Sequence, residues 1–364
     1  MTEQLADEIM ALMLVPGLSG HEDPVRHAIR QRLDNAGIAS QTDVMGNLLT
    51  SFPGHGPSVL VFAHMDQLGF VVRKVREDGL LHLERLGGVP ERALAAQEVL
   101  IYGAGGAEVT GVIANKSHHA TSPAEKYTVV PYPDLYVDCG FTTRLEAEEA
   151  GVRIGAPVVY APRATRLSDE RICGTSVDDR AGCAILIELA RRMKARAGGP
   201  PVHIAFTVQE EFNLRGAQTL AQAVKPDIAI QIDLMLASDT PDMADRGDMV
   251  LGGGPGMSLY SFHGRGTLNG VIPHPALVNL METAAEESGV PLQRSAQTGI
   301  LTDLSYVQLV GSGVAAIDVG FPMRYSHSAR EVCDLRDLHG LIRLLETALD
   351  MITPGFSLNR DEDC

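Results

Sequence analysis

Apolar runs of strand length alternate with helical patterns along this chain, and one of these runs ends in two adjacent carboxylates. Val202–Thr207 is built almost entirely from strand-forming residues, and Glu210 and Glu211 follow it closely. Open α/β sheets place their chemistry where strands leave the sheet. One carboxylate of such a pair can bind a metal ion while the other takes a proton from water. A solvated turn is the competing interpretation, so the pair indicates a site only if other ligands converge on it.

A second apolar run leads into a histidine and a carboxylate. Val59–Ala63 is followed directly by His64 and then by Asp66. Alternate residues of a strand share a face, so both side chains are expected to point the same way. This arrangement is typical of a metal-ligand histidine, because a bound imidazole usually donates its other N–H to a neighbouring group.

Two further carboxylates stand at the ends of apolar elements. Asp178 precedes a strongly apolar helix predicted over Ala181–Met193, where the helix dipole favours anions. A carboxylate that bridges two cations would suit this position. Asp233 lies at the end of a buried strand predicted over Asp227–Leu234, and a buried aspartate there requires a partner or a metal ion.

A histidine near the C-terminus shows the same placement. His327 lies in a loop that follows a strand predicted over Val314–Phe321, and functional groups concentrate in such loops. An amphipathic helix is predicted over Leu335–Ile352, and a polar tail over Ser357–Cys364.

The N-terminal segment predicts two helices that pack on the core. Leu5–Met13 and Val25–Leu33 carry apolar residues at helical spacing. His21 and Glu22 lie just before the second helix and are interpreted as residues that cap it and complement its dipole.

The middle of the chain has a different texture. Between 71 and 167, short β-rich pieces are separated by Gly and Pro turns, which predicts an inserted β-rich domain. The flanking segments, 1–70 and 168–364, then form an α/β domain with a mixed sheet and helices on both faces. His118 and His119 are adjacent, so their side chains diverge, and a loop or an interface is the preferred interpretation.

Composition narrows the possible functions. The 364 residues are 45% hydrophobic, which is enough for a full core, and the net charge of -16 argues against a nucleic-acid surface. The five cysteines are widely spaced and indicate neither a disulfide framework nor a structural zinc site. The acidic N-terminus and the absence of a long apolar run predict a cytoplasmic protein that does not bind membranes.

Taken together, these signals predict a two-metal hydrolase. Histidines and carboxylates without thiolates suit Zn, Co or Mn, and paired ions in hydrolases share a bridging carboxylate. The candidate residues are those that end the apolar elements: His64, Asp178, Glu210, Glu211, Asp233 and His327.

The chain also resembles the M42 metallo-aminopeptidases, the tetrahedral or TET group, along nearly its whole length. The motifs that carry the resemblance are Ser19–Glu22, Ala63–Phe70, Asp134–Asp138, Val177–Gly182, Gln209–Ala217, Gly253–Pro255 and Arg324–Ser328. The resemblance implies an aminopeptidase that removes N-terminal residues from short peptides. It also implies a small β-rich insertion and a dodecamer whose active sites face an inner cavity.

The resemblance further implies a role for each site residue. One metal ion would be held by His64, Asp178 and Asp233, and the other by Asp178, Glu211 and His327. Glu210 would be the general base that takes a proton from the metal-activated water, and Asp66 would orient His64. The family often carries Glu where this chain has Gln67, which alters the charge near the site without removing a ligand.

Three other functions fit some of these residues. A deacylase or carboxypeptidase-like enzyme would use the same ligands on another amide. A glycosidase could use Glu210 with a second carboxylate, but it would leave the histidines without a role, and the chain has no Trp for stacking on sugars. A non-catalytic assembly protein would not need candidates at every metal position.

Overall fold

The computed structural model describes residues 2–264 and 269–361, so the end of the predicted tail, with Cys364, lies outside the described residues. Apolar periodicity produces the helices α1 Thr2–Met13, α2 Asp23–Asn35, α3 Arg144–Glu149, α4 Val177–Ala195, α5 Gly216–Val224, α6 Pro275–Ser288, α7 Leu304–Val307 and α8 Leu335–Met351. The strands are β1 Gln41–Thr42, β2 Leu48–Phe52, β3 Val59–His64, β4 Gly69–Val75, β5 Leu81–Leu86, β6 Glu98–Tyr102, β7 Glu108–Ile113, β8 Val137–Asp138, β9 Pro157–Tyr160, β10 Ala164–Ser168, β11 Arg171–Gly174, β12 Val202–Thr207, β13 Ile228–Leu236, β14 Gly256–Phe262, β15 Gly270–Val271, β16 Gln293–Thr298, β17 Ala315–Arg324 and β18 Glu331–Asp334.

A large mixed sheet forms the body of the molecule. Its main path runs β1-β2-β12-β3-β13-β17-β18-β11-β10; β14 branches from β17, and β15 and β16 pair with β14. The strands β12, β3, β13 and β17 are parallel to one another, whereas the flanking strands pair antiparallel. The parallel centre explains why these runs are continuously apolar, since helices cover both of their faces.

The two faces of the sheet belong to separate cores. Along β3, Val59 and Val61 pack in the larger core with α1, α2, α4, α6 and α8. The alternate residues Leu60 and Phe62 pack in a smaller core with α5 and α7. The predicted α/β architecture with a mixed sheet and helices on both faces is therefore confirmed.

A closed β-barrel accounts for the β-rich middle segment. Its strands follow the order β4-β5-β8-β7-β6-β9 and surround their own apolar core. The barrel strands lie between Gly69 and Tyr160, and β10, at Ala164–Ser168, pairs with the large sheet instead. His118 and His119 are exposed in a short turn of this segment, away from the sheet. The division into domains at 71 and 167 stays a prediction.

Two other sequence expectations can be compared with the described residues. Within them, no helix combines the length and apolar character needed to cross a membrane. The cysteines described there, Cys139, Cys173, Cys183 and Cys333, are free thiols.

Candidate metal centre

Two groups of potential metal ligands lie side by side and share Asp178. The first comprises His64, Asp178 and Asp233, and the second Asp178, Glu211 and His327. Each residue contributes one ligand atom, and within each group these atoms lie within 4.8 Å of one another. The structure therefore brings together all of the residues expected to bind metal from the sequence.

The parallel strands explain this convergence. His64 is the last residue of β3, and Asp233 lies near the end of β13, which is parallel to it. Glu211 follows β12, and His327 follows β17. Since the carboxyl ends of parallel strands meet at one edge of the sheet, residues far apart in sequence become neighbours. Asp178 reaches the same edge from the first turn of α4, where its backbone is not yet helical.

Backbone carbonyls fix which nitrogen of each histidine faces the site. Nδ1 of His64 lies 3.2 Å from the carbonyl oxygen of Asp66, and Nδ1 of His327 lies 3.0 Å from that of Gly88. A carbonyl only accepts hydrogen bonds, so Nδ1 carries the proton in both rings. Nε2 is left facing Asp178, at 3.0 Å for His64 and 3.5 Å for His327. This is the ring orientation expected of histidine ligands.

Asp66 ties together the chain around the adjacent glutamates. Its two carboxylate oxygens accept hydrogen bonds from the backbone N–H groups of Glu210 and Glu211, both at 3.0 Å. The hydroxyl of Ser19 donates a further bond of 2.5 Å. Nδ1 of His64 lies 3.5 Å from the same carboxylate. Asp66 is fully buried, and its hydrogen bonds hold the Glu210–Glu211 turn beside His64.

Glu22 supports the same turn, and its interpretation as a capping side chain is wrong. Glu22 precedes α2, but its side chain makes no capping hydrogen bond to that helix. Its carboxylate instead accepts bonds from Gly20 N at 2.7 Å and from Gln209 N at 3.1 Å. Gln209 has a left-handed backbone, with φ of 58°, which is rare for a residue with a side chain. The chain thus needs an external anchor just before Glu210.

Glu331 is a functional candidate that sequence reasoning missed. It is buried at the start of β18, and its carboxylate accepts hydrogen bonds from His327 N at 2.7 Å and Asp178 N at 3.1 Å. One side chain therefore links the backbones of two ligand residues. The only signal in the sequence is an acidic residue close after His327, and this signal does not distinguish it from a surface residue.

Gln67 lies behind the ligands rather than among them. Its side-chain oxygen accepts bonds from Gly17 N at 3.0 Å and from the guanidinium of Arg180 at 3.3 Å. Arg180 is fully buried, and burial lowers its pKa. The buried arginine thus has a neutral amide oxygen as a side-chain partner.

Crowding of buried carboxylates changes their proton affinities. Burial, opposed in part by His64, raises the pKa of Glu210 well above its usual range, and Glu211 and Asp233 raise it further. Burial also raises the pKa of Glu211 and of Asp233 to about 7. Burial acts in the same direction on Asp178, but hydrogen bonds from His327 and His64 outweigh it and lower the pKa of Asp178.

The histidines balance part of this negative charge. Burial lowers the pKa of His64, but the bonds to Asp178 and Asp66 outweigh it, so the pKa lies well above its ordinary value. The pKa of His327 is also raised, because Glu211 and Asp178 outweigh the effect of burial. Buried carboxylates facing two imidazoles form a donor set that fits divalent cations such as Zn, Co or Mn.

A cavity of about 360 Å³ opens over the two ligand groups. The ligand residues and Glu210 line it, and Glu210 is 8% exposed. Gly88, from the barrel segment, and residues of the 299–302 loop also line it. A peptide end can therefore reach the ligands and Glu210 from solvent.

A metal-dependent hydrolase needs clustered ligands beside an accessible cavity, and this fold provides both. The sequence profile of the family described as M42 glutamyl aminopeptidase matches residues 46–344. The chain therefore belongs to the M42 aminopeptidase family and is a hydrolase of the aminopeptidase class. Members of this family depend on metal ions.

Individual relatives agree over nearly the full length. The lysyl aminopeptidase of Pyrococcus furiosus is 32% identical over 93% of this chain and 95% of its own. The structure of the aminopeptidase APDkam598 from Desulfurococcus kamchatkensis has a TM-score of 0.90 at 31% identity, covering 98% of this chain and 97% of its own. The TET1 peptidase of Pyrococcus horikoshii, with a TM-score of 0.85 at 27% identity over 95% and 99%, can assemble into a tetrahedron or a large octahedral shell.

Proposed function

We propose that this protein removes N-terminal residues from short peptides by attack of an activated water on the first peptide bond. The observation that carries this proposal is the position of Glu210, which lines one cavity together with both groups of metal ligands. A proton acceptor beside paired ligand groups is the arrangement that metal-assisted hydrolysis requires.

Two divalent ions, Zn, Co or Mn, fit the ligand groups. His64, Asp178 and Asp233 would hold one ion, and Asp178, Glu211 and His327 the other, so that Asp178 bridges them. When bound, such ions lower the pKa of a shared water and polarise the scissile carbonyl. Glu331 would keep Asp178 and His327 in place through their backbones.

Glu210 supplies the proton transfer. Its carboxylate takes the proton of the attacking water and returns it to the nitrogen of the leaving amine. Burial and neighbouring carboxylates raise the pKa of Glu210, so its ionised carboxylate is a stronger base than that of an exposed glutamate. Asp66, through its bonds to the backbone of Glu210 and Glu211, would hold the base beside the ligands while also orienting His64.

The setting of the enzyme is part of the same proposal. We infer a cytoplasmic homo-oligomer, a tetrahedral dodecamer, in which the barrel segment makes subunit contacts. The shells formed by the TET1 relative support the assembly. Exposed apolar side chains on the barrel segment also support it, since Tyr127 is 92% exposed and Val129 49% exposed.

Paired variants of the site test the mechanism. Glu210→Gln should abolish peptide hydrolysis and leave the bound metal nearly unchanged, because the amide cannot accept a proton. Asp178→Asn should lose metal, since this residue belongs to both ligand groups. Metal content by elemental analysis and hydrolysis of short peptides would be measured on both. Normal turnover by Glu210→Gln would remove Glu210 from its role.

A further inference from the structure

We propose that the pocket for the N-terminal side chain selects uncharged aliphatic residues. This inference rests on the proposed aminopeptidase function and assigns the substrate class of the same site. It concerns the part of the cavity that lies beyond the ligand residues and Glu210.

The cavity wall beyond the ligands is mainly apolar. Its aliphatic lining residues are Leu214, Leu234, Leu236, Ile300 and Leu301. Its remaining polar side chains carry amide, imidazole or hydroxyl groups: Asn213, His263, Thr302 and Ser326. Leu234 immediately follows the ligand Asp233, so the apolar wall begins beside the metal groups. A side chain on the first residue of a bound peptide would meet aliphatic carbon there.

Charged partners for such a side chain are missing from the described wall. Among the described lining residues, which do not include 265–268, there is no Lys or Arg that could pair with an acidic side chain. The carboxylates of the lining are Asp178, Glu210, Glu211 and Asp233. Each of these already serves as a ligand or as the base, so none is available for a basic side chain.

Asp318 is a buried carboxylate outside this wall. Asp318 lines a second, much smaller cavity of about 20 Å³, which shares Asp233, Leu234, Ile300 and Thr302 with the large one. One oxygen of Asp318 accepts a bond of 2.9 Å from the hydroxyl of Thr302. A space of this size holds about one water molecule. The end of a lysine or arginine side chain does not fit, so Asp318 does not create a basic subsite.

Because burying an unpaired charge costs free energy, this geometry should favour uncharged substrate side chains. Moving an ionised side chain out of water without a new partner is strongly unfavourable. Moving an aliphatic side chain out of water is favourable. A leucyl substrate should therefore exceed glutamyl and lysyl substrates in kcat/KM by at least about tenfold.

The first test compares leucyl, glutamyl and lysyl p-nitroanilides on the metal-loaded enzyme. Preference for the leucyl substrate supports the inference, and preference for either charged substrate overturns it. No hydrolysis of any substrate, including a panel of free dipeptides, by the metal-loaded protein would instead count against the proposed function. The two failures are therefore distinguishable.

Reciprocal charge changes at Ile300 provide the second test. Ile300→Arg should raise the ratio of glutamyl to leucyl kcat/KM by about tenfold or more, and Ile300→Asp should raise the lysyl to leucyl ratio similarly. A merely structural role would lower all substrates together and leave both ratios unchanged, which would overturn the assignment of the pocket. Leu309→Arg is the matched control, because Leu309 is 67% exposed and does not line the cavity.

Discussion

At the scale of single residues, the site depends on side chains that do not contact the candidate metal-binding atoms. Asp66 and Glu22 are buried carboxylates that accept hydrogen bonds from the backbone N–H groups of consecutive residues around Glu210. Each bond satisfies a donor in a turn whose first residue, Gln209, has an unfavourable left-handed backbone. The proposed general base is thus positioned by its backbone as much as by its own side chain.

Loss of the Glu22 carboxylate should therefore reduce turnover without emptying the site. We expect Glu22→Ala to lower kcat by about tenfold or more, because displacement of a base by a fraction of an ångström is costly. Glu22→Gln should restore most of the rate, since its amide oxygen can still accept both bonds. Asp23→Ala is the control, because Asp23 is exposed and pairs only with Arg26 on the surface. Equal effects of the Ala and Gln variants on kcat would contradict this role.

A second residue-scale prediction concerns pH. Burial raises the pKa of Asp318 to about 7, against about 4 in the unfolded chain. The folded protein keeps a proton that the unfolded chain releases, so Asp318 makes stability fall as pH rises from about 4 to 7. At about 1.4 kcal/mol per unit, the loss is at most on the order of 4 kcal/mol.

Asp318→Asn removes this titration and should be more stable than the parent above pH 7. Urea unfolding at pH 5 and pH 8 measures the difference between the two proteins at each pH. The stabilisation should be present at pH 8 and small at pH 5. Asp242→Asn, at an exposed position, should show no such change. A stabilisation that is the same at both pH values would exclude Asp318 as its source.

At the scale of elements, strand packing sets the separation of the ligands. Gly320 on β17 pairs with Asp233 on β13, and a Cβ atom there would lie 1.8 Å from the carbonyl oxygen of Asp233. No real contact is that short, so a side chain at this position must push the two strands apart. The spacing of a ligand strand therefore depends on a residue that has no functional group.

Gly320→Ala should consequently weaken metal binding. We expect at least about a tenfold loss of metal affinity, as is common when the support of a ligand is disturbed. Metal titration of the stripped protein measures this directly. Gly247→Ala is the matched control, because its backbone is extended and its Cβ would have ordinary contacts of 3.4 Å and longer. Unchanged affinity in Gly320→Ala would show that the strands adjust without moving Asp233.

Sequence patterns predict the central strands and the candidate ligands for one physical reason. Buried parallel strands are continuously apolar, so an ionisable residue at the end of one, such as His64 or Asp233, stands out. Glu331, which supports two candidate ligands, carries no such contrast. It is buried by tertiary packing alone, and in the sequence it resembles an ordinary acidic residue. The sequence favours a capping role for Glu22 because a carboxylate just before a helix often caps it.

Long-range pairing also limited what could be predicted of the elements. The β-rich texture of the middle segment was visible, but closure into a barrel requires β4 to pair with β9, far along the chain. No local pattern encodes that pairing. The same limit applies to β10, whose five residues read like the preceding strands but pair with the large sheet.

At the scale of the whole molecule, the number of subunits is the property that the structure of a single chain shows least directly. If the barrel segment makes subunit contacts, light scattering after gel filtration should give twelve times the mass of one chain. Tyr127→Glu combined with Val129→Asp should lower that mass, because charge at exposed apolar contacts opposes their burial. His55→Glu, in a loop outside the barrel, is the control. An unchanged mass in the double variant would place the contacts elsewhere.

The proposed function requires the paired candidate ligands and Glu210 to act on peptides that have a free N-terminus. The most direct measurement strips the protein with chelator, restores Co or Zn, and compares dipeptides that have free N-termini with their N-acetylated forms. We predict metal-dependent cleavage confined to the free forms. Equal cleavage of the acetylated forms would contradict this requirement and indicate a deacylase or an endopeptidase. An absence of cleavage with both metal ions bound would contradict the substrate class.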